Sequence, residues 1–234
     1  MSDALERQPS RRAFVKSVIA IGAAAVVPGC AQKALDSGRP VVGPPAQPPY
    51  VPAPAELVKR GERPAGIRAE LFDRAIAALD RHATRIAQRD RIAIVDFAAP
   101  SHLNRFHIVD LAGGRSAQML VAHGIGSDPA HTGWLQRFSN EPDSEATSEG
   151  AFVTADYYVG RNGQSQRLVG LDPTNSNALD RAIVVHGAWY ANRTMLSSHG
   201  KLGRSQGCFA VGEAELATVF AKLGEGRMIY AAKV

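Results

Sequence analysis

Seven of the fifteen residues from Pro40 to Pro54 are proline, and that tract divides the chain. Proline has no amide hydrogen and a fixed φ, so the tract can be neither a helix interior nor a central strand. It is predicted to be an extended polyproline-type spacer, and at about 3.1 Å per residue it covers on the order of 45 Å. Two readings of it stay open: reach for a tethered domain, or a plain linker. The spacer region runs over residues 31–63, and the folded part is expected over residues 64–234, a length suited to one domain. Of the 234 residues, 45% are hydrophobic and 21% charged, ordinary for a globular chain. No apolar run reaches the roughly 18 residues needed to cross a bilayer as a helix. The formal charge is +5, and residues 1–30 hold four basic against two acidic residues, leaving only +3 for the rest. No basic run concentrates that surplus, which argues against nucleic acid as a partner.

Residues 1–30 read as an address rather than as fold. Ser10-Arg11-Arg12-Ala13-Phe14-Val15-Lys16 precedes an apolar run of 11 residues, Ser17 to Val27. That run has the length of a signal h-region and is too short to span a membrane. The segment resembles a twin-arginine export signal. Val27-Pro28-Gly29-Cys30 is similar to a bacterial lipobox, in which the cysteine becomes the lipid-modified first residue; Pro28 is unusual there. The alternative is cleavage near Ala31 or Ala34 and release of a soluble periplasmic protein. An acylated Cys30 cannot pair with Cys208, the second of two cysteines, which then is a free thiol in an oxidising compartment.

Within the folded part the hydrophobic period changes. From Arg68 to Arg89, apolar residues at Leu71, Phe72, Ala75, Ile76, Leu79 and Ile86 lie on one face of a helix, and His82 near that stripe reads as a packing or surface residue. After Asp90, short apolar runs predict strands at 92–97, 106–111, 117–122, 152–159, 166–171, 181–186 and 228–232, with a turn at Gly113-Gly114. Residues 213–223 repeat as a helix through Leu216, Val219, Phe220 and Leu223. Six or seven strands with few helices predict a mostly β domain (α+β): a sandwich or a partly closed barrel, with an N-terminal helix and a short helix after Cys208.

The chemistry is narrowed first by what is missing. There is no phosphate-binding loop, no dinucleotide fingerprint and no H-E-x-x-H helix. None of the seven histidines forms a pair at helical i, i+4 spacing, and nothing in the spacing of His123 and His131 favours a metal. Gly203-Arg204-Ser205-Gln206-Gly207 fits a serine nucleophile elbow, but neither Asp nor His follows it in the chain, so the required triad order fails. The next residue, Cys208, is the better nucleophile. A free thiol is only a few per cent thiolate at pH 7, and a nearby imidazole raises that fraction. His186, at the end of the apolar strand 181–186 and followed by Gly187, is the candidate base. The amides of Gly207 and Cys208 are candidate oxyanion donors. The competing reading is an inert cysteine packed in the core.

His186-Gly187 followed by Ser205-x-Gly207-Cys208 resembles the signature of L,D-transpeptidases. The resemblance is closest to the murein L,D-transpeptidase catalytic domains, where similar stretches recur: Val121-Ala122-His123-Gly124, Phe138-Ser139-Asn140, Ser148-Glu149-Gly150-Ala151-Phe152 and Gly203-Arg204-Ser205-Gln206-Gly207-Cys208. The resemblance runs from about Ile92 to Tyr230. It implies a β-sandwich-like domain and a two-step acyl transfer on peptidoglycan stem peptides. Cys208 attacks the carbonyl of the third stem residue, D-Ala leaves, and the side-chain amine of a diamino acid on another stem takes the acyl group. It also implies His186 as base and later proton donor, the Gly207 and Cys208 amides as oxyanion hole, and Ser205 as a residue that orients the loop or holds His186. Family members are typically acylated by carbapenems on the catalytic cysteine. Neither metal nor cofactor is implied; the location implied is the periplasm or cell envelope, with a membrane anchor at Cys30; oligomeric state is left open.

Two positions depart from the commoner signature: Gln206 stands where it has His, and Ala210 where it has Arg. Arg204 or Arg193 is the expected source of the missing positive charge, and His199 is a second imidazole on the same loop. His123 either lines the cleft or bonds backbone at a strand end. Trp189 and Tyr190 either wall the cleft or pack. Two other functions stay open: an L,D-carboxypeptidase or endopeptidase using the same thiol with water, and a non-catalytic peptidoglycan-binding lipoprotein.

Overall fold

The computed structural model describes residues 63–234. The signal-like segment with Cys30 and nearly all of the spacer lie outside the described residues. Helix α1 spans Ala69–Arg81 and buries Leu71, Phe72, Ala75, Ile76, Ala78 and Leu79. Glu70 in its first turn and Arg81 in its last complement the helix dipole. The expected helical face continues to Ile86, which is buried in the same apolar layer, but the helix stops at Arg81. There His82 turns aside and its Nε2 lies 2.8 Å from Asp172 Oδ1, a tertiary contact that periodicity does not register.

Eight strands follow: β1 (Arg91–Asp96), β2 (Phe106–Asp110), β3 (Ser116–Met119), β4 (Gly150–Gly160), β5 (Gly163–Gly170), β6 (Val184–Gly187), β7 (Phe209–Val211) and β8 (Met228–Ala232). Helix α2 (Thr194–His199) lies between β6 and β7, and α3 (Glu213–Leu223) between β7 and β8. The strands form one sheet in the order β3-β2-β1-β8-β4-β5-β6-β7. The pairs β1–β8 and β6–β7 are parallel, and the others are antiparallel. The two edges of the sheet meet: past β3, the Ala122 amide donates to the Ala210 carbonyl at 2.8 Å, and Gly124 bridges Ser205. The mostly β architecture, the N-terminal helix and the helix after Cys208 are all present, with the sheet curled back on itself.

Side-chain alternation sorts the core into layers. Ala93, Val95, Phe106, Ile108, Phe152, Leu168, Val185, Phe209, Val211, Ile229 and Ala231 form the inner layer, with Val219, Phe220 and Leu223 of α3 added to it. The opposite face of β1, β2 and β8 (Ile92, Ile94, Val109, Met228, Tyr230) packs under α1. A smaller cluster of Leu120, Ala122, Ala188, Ala191, Leu202 and Ala210 covers the outside of the closing edge.

Two elements were not expected. β7 is three residues long, too short to show a period, and it exists because Phe209 is locked between Phe152 and Phe97, with ring centroids at 5.3 Å and 6.2 Å. α2 forms where the polar run around Ser197 to Lys201 reads as flexible; Gly200 ends it with φ +67°. Among the described residues no helix is long and apolar enough to cross a membrane.

Candidate active site

Cys208 immediately precedes β7, so the anchoring of Phe209 in the core fixes the backbone of this candidate nucleophile. The loop before it is equally constrained. Gly207 has φ +109°, and a Cβ there would meet the Ala146 carbonyl oxygen at 2.7 Å and Ile183 Cδ1 at 2.8 Å. Gly124 lies against it from the other side, where a Cβ would overlap the Glu145 carbonyl and come within 2.8 Å of the Gly207 nitrogen. Ser205 ties the loop together: its hydroxyl donates to the Cys208 carbonyl at 2.7 Å and accepts the Gly207 amide at 3.2 Å. Both of these bonds lie within the loop, and neither goes to His186. The Gly207 amide is engaged within the loop, so of the two expected oxyanion donors Cys208 N–H is the one not given to Ser205.

His186 sits on β6 opposite Ala210 of β7, while Val185 pairs with Phe209. Val185 and Phe209 point into the inner layer, so His186 and Cys208 share the other face. Cys208 is level with Val184, two residues, or about 6.6 Å along the strand, from the level of His186. The His186 ring is 2% exposed, and its Nδ1 lies 3.0 Å from the Gly187 carbonyl oxygen. A carbonyl can only accept, so Nδ1 carries the hydrogen and Nε2 keeps its lone pair. Burial pushes the His186 pKa down, partly offset by that carbonyl, so the imidazole is neutral at pH 7 and able to take a proton. Gly187 thereby has a part beyond being a small residue: its carbonyl sets the tautomer of the His186 ring.

The thiol of Cys208 is buried and donates to the Ala182 carbonyl at 3.5 Å. Ala182 holds φ 52°, a left-handed conformation that costs a non-glycine residue about 1–2 kcal/mol and aims this carbonyl at sulfur. Burial pushes the thiol pKa up; the Val184 amide, Arg181 and Arg161 oppose it. At rest the pair is therefore thiol and imidazole rather than an ion pair. The thiol's recipient here is Ala182 and not His186; contacts of a general base commonly tighten only in the substrate complex. Tyr190 packs on Gly203. Burial, and then the field of Cys208, push its phenol up to about 12. Trp189 is 66% exposed and meets Tyr190 edge-on at 5.9 Å.

Other expected site residues sit elsewhere. His123 does not line the cleft. It is 1% exposed, with Arg105 Nη2 donating to its Nδ1 at 2.8 Å and Asp128 Oδ2 at 3.4 Å from its Nε2. Burial and Arg105 lower its pKa to about 3, so it is a neutral link between a fully buried arginine and a fully buried carboxylate. Arg204, expected as a source of positive charge, is bound to backbone: its Nη1 donates to the carbonyls of Asp128 and, at 3.0 Å, Pro129. Arg193 donates to Asn104 Oδ1 at 2.9 Å on the surface, and His199 ends α2 beside Ser198.

The two arginines whose fields act against the rise of the thiol pKa are ones that sequence reasoning missed. Arg181 Nη1 donates to the Ser139 carbonyl at 2.8 Å and Ser148 Oγ at 2.7 Å. Its Nη2 donates to Ser144 Oγ at 3.0 Å and the Ala146 carbonyl at 2.6 Å. Arg161, in the turn between β4 and β5, donates to Gln206 Oε1 at 3.0 Å, and Gln206 Nε2 donates to Glu145 Oε1 at 2.8 Å. Nothing local marks these arginines; their partners are 33 to 45 residues away in the chain. Among the described residues no group of three or more His, Cys, Asp or Glu side chains could hold a metal ion. What the arrangement can do is ionise a buried thiol against a neutral imidazole and accept an acyl group on sulfur.

Residues 64–232 match a family model described as the L,D-transpeptidase catalytic domain. No curated protein matches the chain. Solved structures similar to it include an L,D-transpeptidase from Mycobacterium smegmatis, with 14% identity over 61% of this chain and 58% of that one and a TM-score of 0.38. Another is an L,D-transpeptidase from Xylanimonas cellulosilytica, with 16% identity, 67% and 68% coverage and a TM-score of 0.37. A third is a helical cell-shape-determining protein from Campylobacter jejuni, with 9% identity, 61% and 47% coverage and a TM-score of 0.41. The chain spans about three fifths of the length of the mycobacterial structures that it matches.

Proposed function

This chain belongs to the L,D-transpeptidase catalytic domain family, whose model it matches over residues 64–232, and we propose on that basis that Cys208 carries out acyl transfer on the peptide stems of peptidoglycan. The observation that carries the reading is the tautomer of His186: with Nδ1–H held by Gly187 at 3.0 Å, Nε2 is free to accept a proton on the face that Cys208 shares. His186 takes the thiol proton as sulfur attacks the carbonyl carbon of the third stem residue. The Cys208 amide donates to the oxyanion of the tetrahedral intermediate. The carbon–nitrogen bond to D-Ala breaks, and His186 returns the proton to that leaving amine. A thioester remains on Cys208. The amine of a second stem attacks it, His186 removes the proton of that amine, the carbon–sulfur bond breaks, and the proton passes back to sulfur. Export by the twin-arginine-like segment and anchoring at Cys30 place the domain in the cell envelope in this reading.

Water in place of the second amine makes the same thiol a carboxypeptidase. The test is to incubate the full chain with disaccharide-tetrapeptide monomers and weigh the products. The expected products are cross-linked dimers with equimolar D-Ala. Tripeptide monomers alone would assign hydrolysis and overturn transfer, and unchanged substrate with folded protein would overturn both.

A further inference from the structure

The position that the commoner signature fills with arginine is here Ala210, buried in the outer cluster behind His186. The site still contains a fixed cation, reached from another part of the chain. Arg181 spends four hydrogen bonds on neutral acceptors, two carbonyls and two serine hydroxyls, and among the described residues it forms no ion pair with a carboxylate. Its tethers stand at Ser139, Ser144, Ala146 and Ser148, so it clamps the segment that backs the nucleophile's loop. The Ala146 carbonyl that it binds is the one against which Gly207 packs. The residue after it, Ala182, gives its carbonyl to the Cys208 thiol. The guanidinium thus fixes one wall of the niche around Cys208, and the backbone that follows Arg181 supplies the other.

We infer that Arg181 is a positioning residue of this site, supplying the fixed positive charge against which Cys208 ionises and holding the segment 139–148 in place around it. The inference rests on Cys208 being the nucleophile. A planar guanidinium suits this role because its forked donors are satisfied by neutral oxygens while its charge stays uncompensated. The other groups facing the thiol do not replace it. Arg161 is exposed and occupied by Gln206, His186 is neutral, Tyr190 is a phenol held protonated, and Glu145 bonds Gln206. Glu141, the remaining carboxylate whose field reaches Arg181, is exposed and therefore screened by solvent.

The experiment is the pH dependence of alkylation by iodoacetamide in the full chain, read by mass on the peptide that carries Cys208 so that Cys30 does not contribute. Arg181→Gln keeps amide donors and removes the charge. Its alkylation midpoint is expected to move to higher pH by about one unit, a tenfold lower thiolate fraction below the midpoint. Arg181→Lys keeps the charge and loses the fork, so it is expected to melt at a lower temperature and to move the midpoint by less than the glutamine variant. If the glutamine variant does not fold, the Ser144→Ala/Ser148→Ala double variant decides. It leaves Arg181 present but half untethered, and its midpoint is expected to move the same way by less. An unmoved midpoint in the folded glutamine variant, or in the double variant where that one must serve, would overturn the inference. The readout needs no peptidoglycan: absent cross-linked product sinks the transfer reading, whereas an unmoved midpoint sinks only the role of Arg181.

Discussion

Replacement of His186 by alanine slows acylation of Cys208 by about 10²- to 10⁴-fold at pH 7, the usual contribution of a positioned general base. The reason is the pairing of a neutral thiol, its pKa raised by burial, with a neutral imidazole, its pKa lowered by burial. Without the imidazole the proton must leave to water from a buried site. The pH profile carries the same information. His186 is a base only while unprotonated, and its pKa lies below the ordinary value of about 6.5. The acid limb of the acylation rate in wild type therefore falls below pH 6.5. That limb disappears in His186→Ala, which retains only a rise with pH from direct ionisation of the thiol. Stopped-flow measurement of acylation across pH 4 to 9 (flanking values of about 6.5 and 8.5) checks both. A variant as fast as wild type at pH 7 would remove His186 from the mechanism.

Arg105→Met is expected to destabilise the domain by about 3–5 kcal/mol, the cost of removing one member of a buried charge set. Arg105 is fully buried and donates to the carbonyls of Val121 and Ala99 and to His123 Nδ1. It also lies over the Phe97 ring at 4.9 Å. Burial lowers its pKa to about 9, so it is charged at neutral pH. Methionine fills comparable space but leaves those acceptors unmet and the Asp128 carboxylate, at 0% exposure, without its buried cation. Asp128 organises the turn to Gly133 through bonds to the amides of Thr132 and Gly133. The damage therefore spreads to the segment that carries Gly124 against the nucleophile loop. His123 adds a pH signature. Its pKa is about 3 when folded and about 6.5 when unfolded. The unfolded chain binds that proton first, so stability falls as pH drops from about 6.5 towards 3. Denaturant unfolding at pH 7 and pH 5 measures both effects.

The candidate site residues that the sequence alone could offer are those whose chemistry is local. Cys208 behind two glycines, and His186 at the end of an apolar strand, are visible because a nucleophile loop and a strand-end base each fit within a few residues. α3 and β8 were legible for the same reason: α3 repeats its apolar face at helical spacing, and β8 is a short continuous apolar run buried on both faces. β7 escaped because it owes its existence to one phenylalanine packed against Phe97 and Phe152, not to a pattern. His123 stayed open between the cleft and a strand-end backbone bond because its donor, Arg105, lies 18 residues earlier and meets it only through the fold. Arg204 looked available because its acceptors are backbone carbonyls, which every residue carries. Arg181 shows the limit most clearly. The quoted stretches around Phe138 and Ser148 resemble the family, yet what joins them is a guanidinium more than 30 residues further along.

The most direct test of Cys208 as the acylated nucleophile is the intact mass of the full chain after mixing with a carbapenem, in wild type and in Cys208→Ala. The account predicts one covalent adduct per chain in wild type and none in the variant. An adduct that persists without Cys208, or a folded wild-type protein that takes up none, would contradict it.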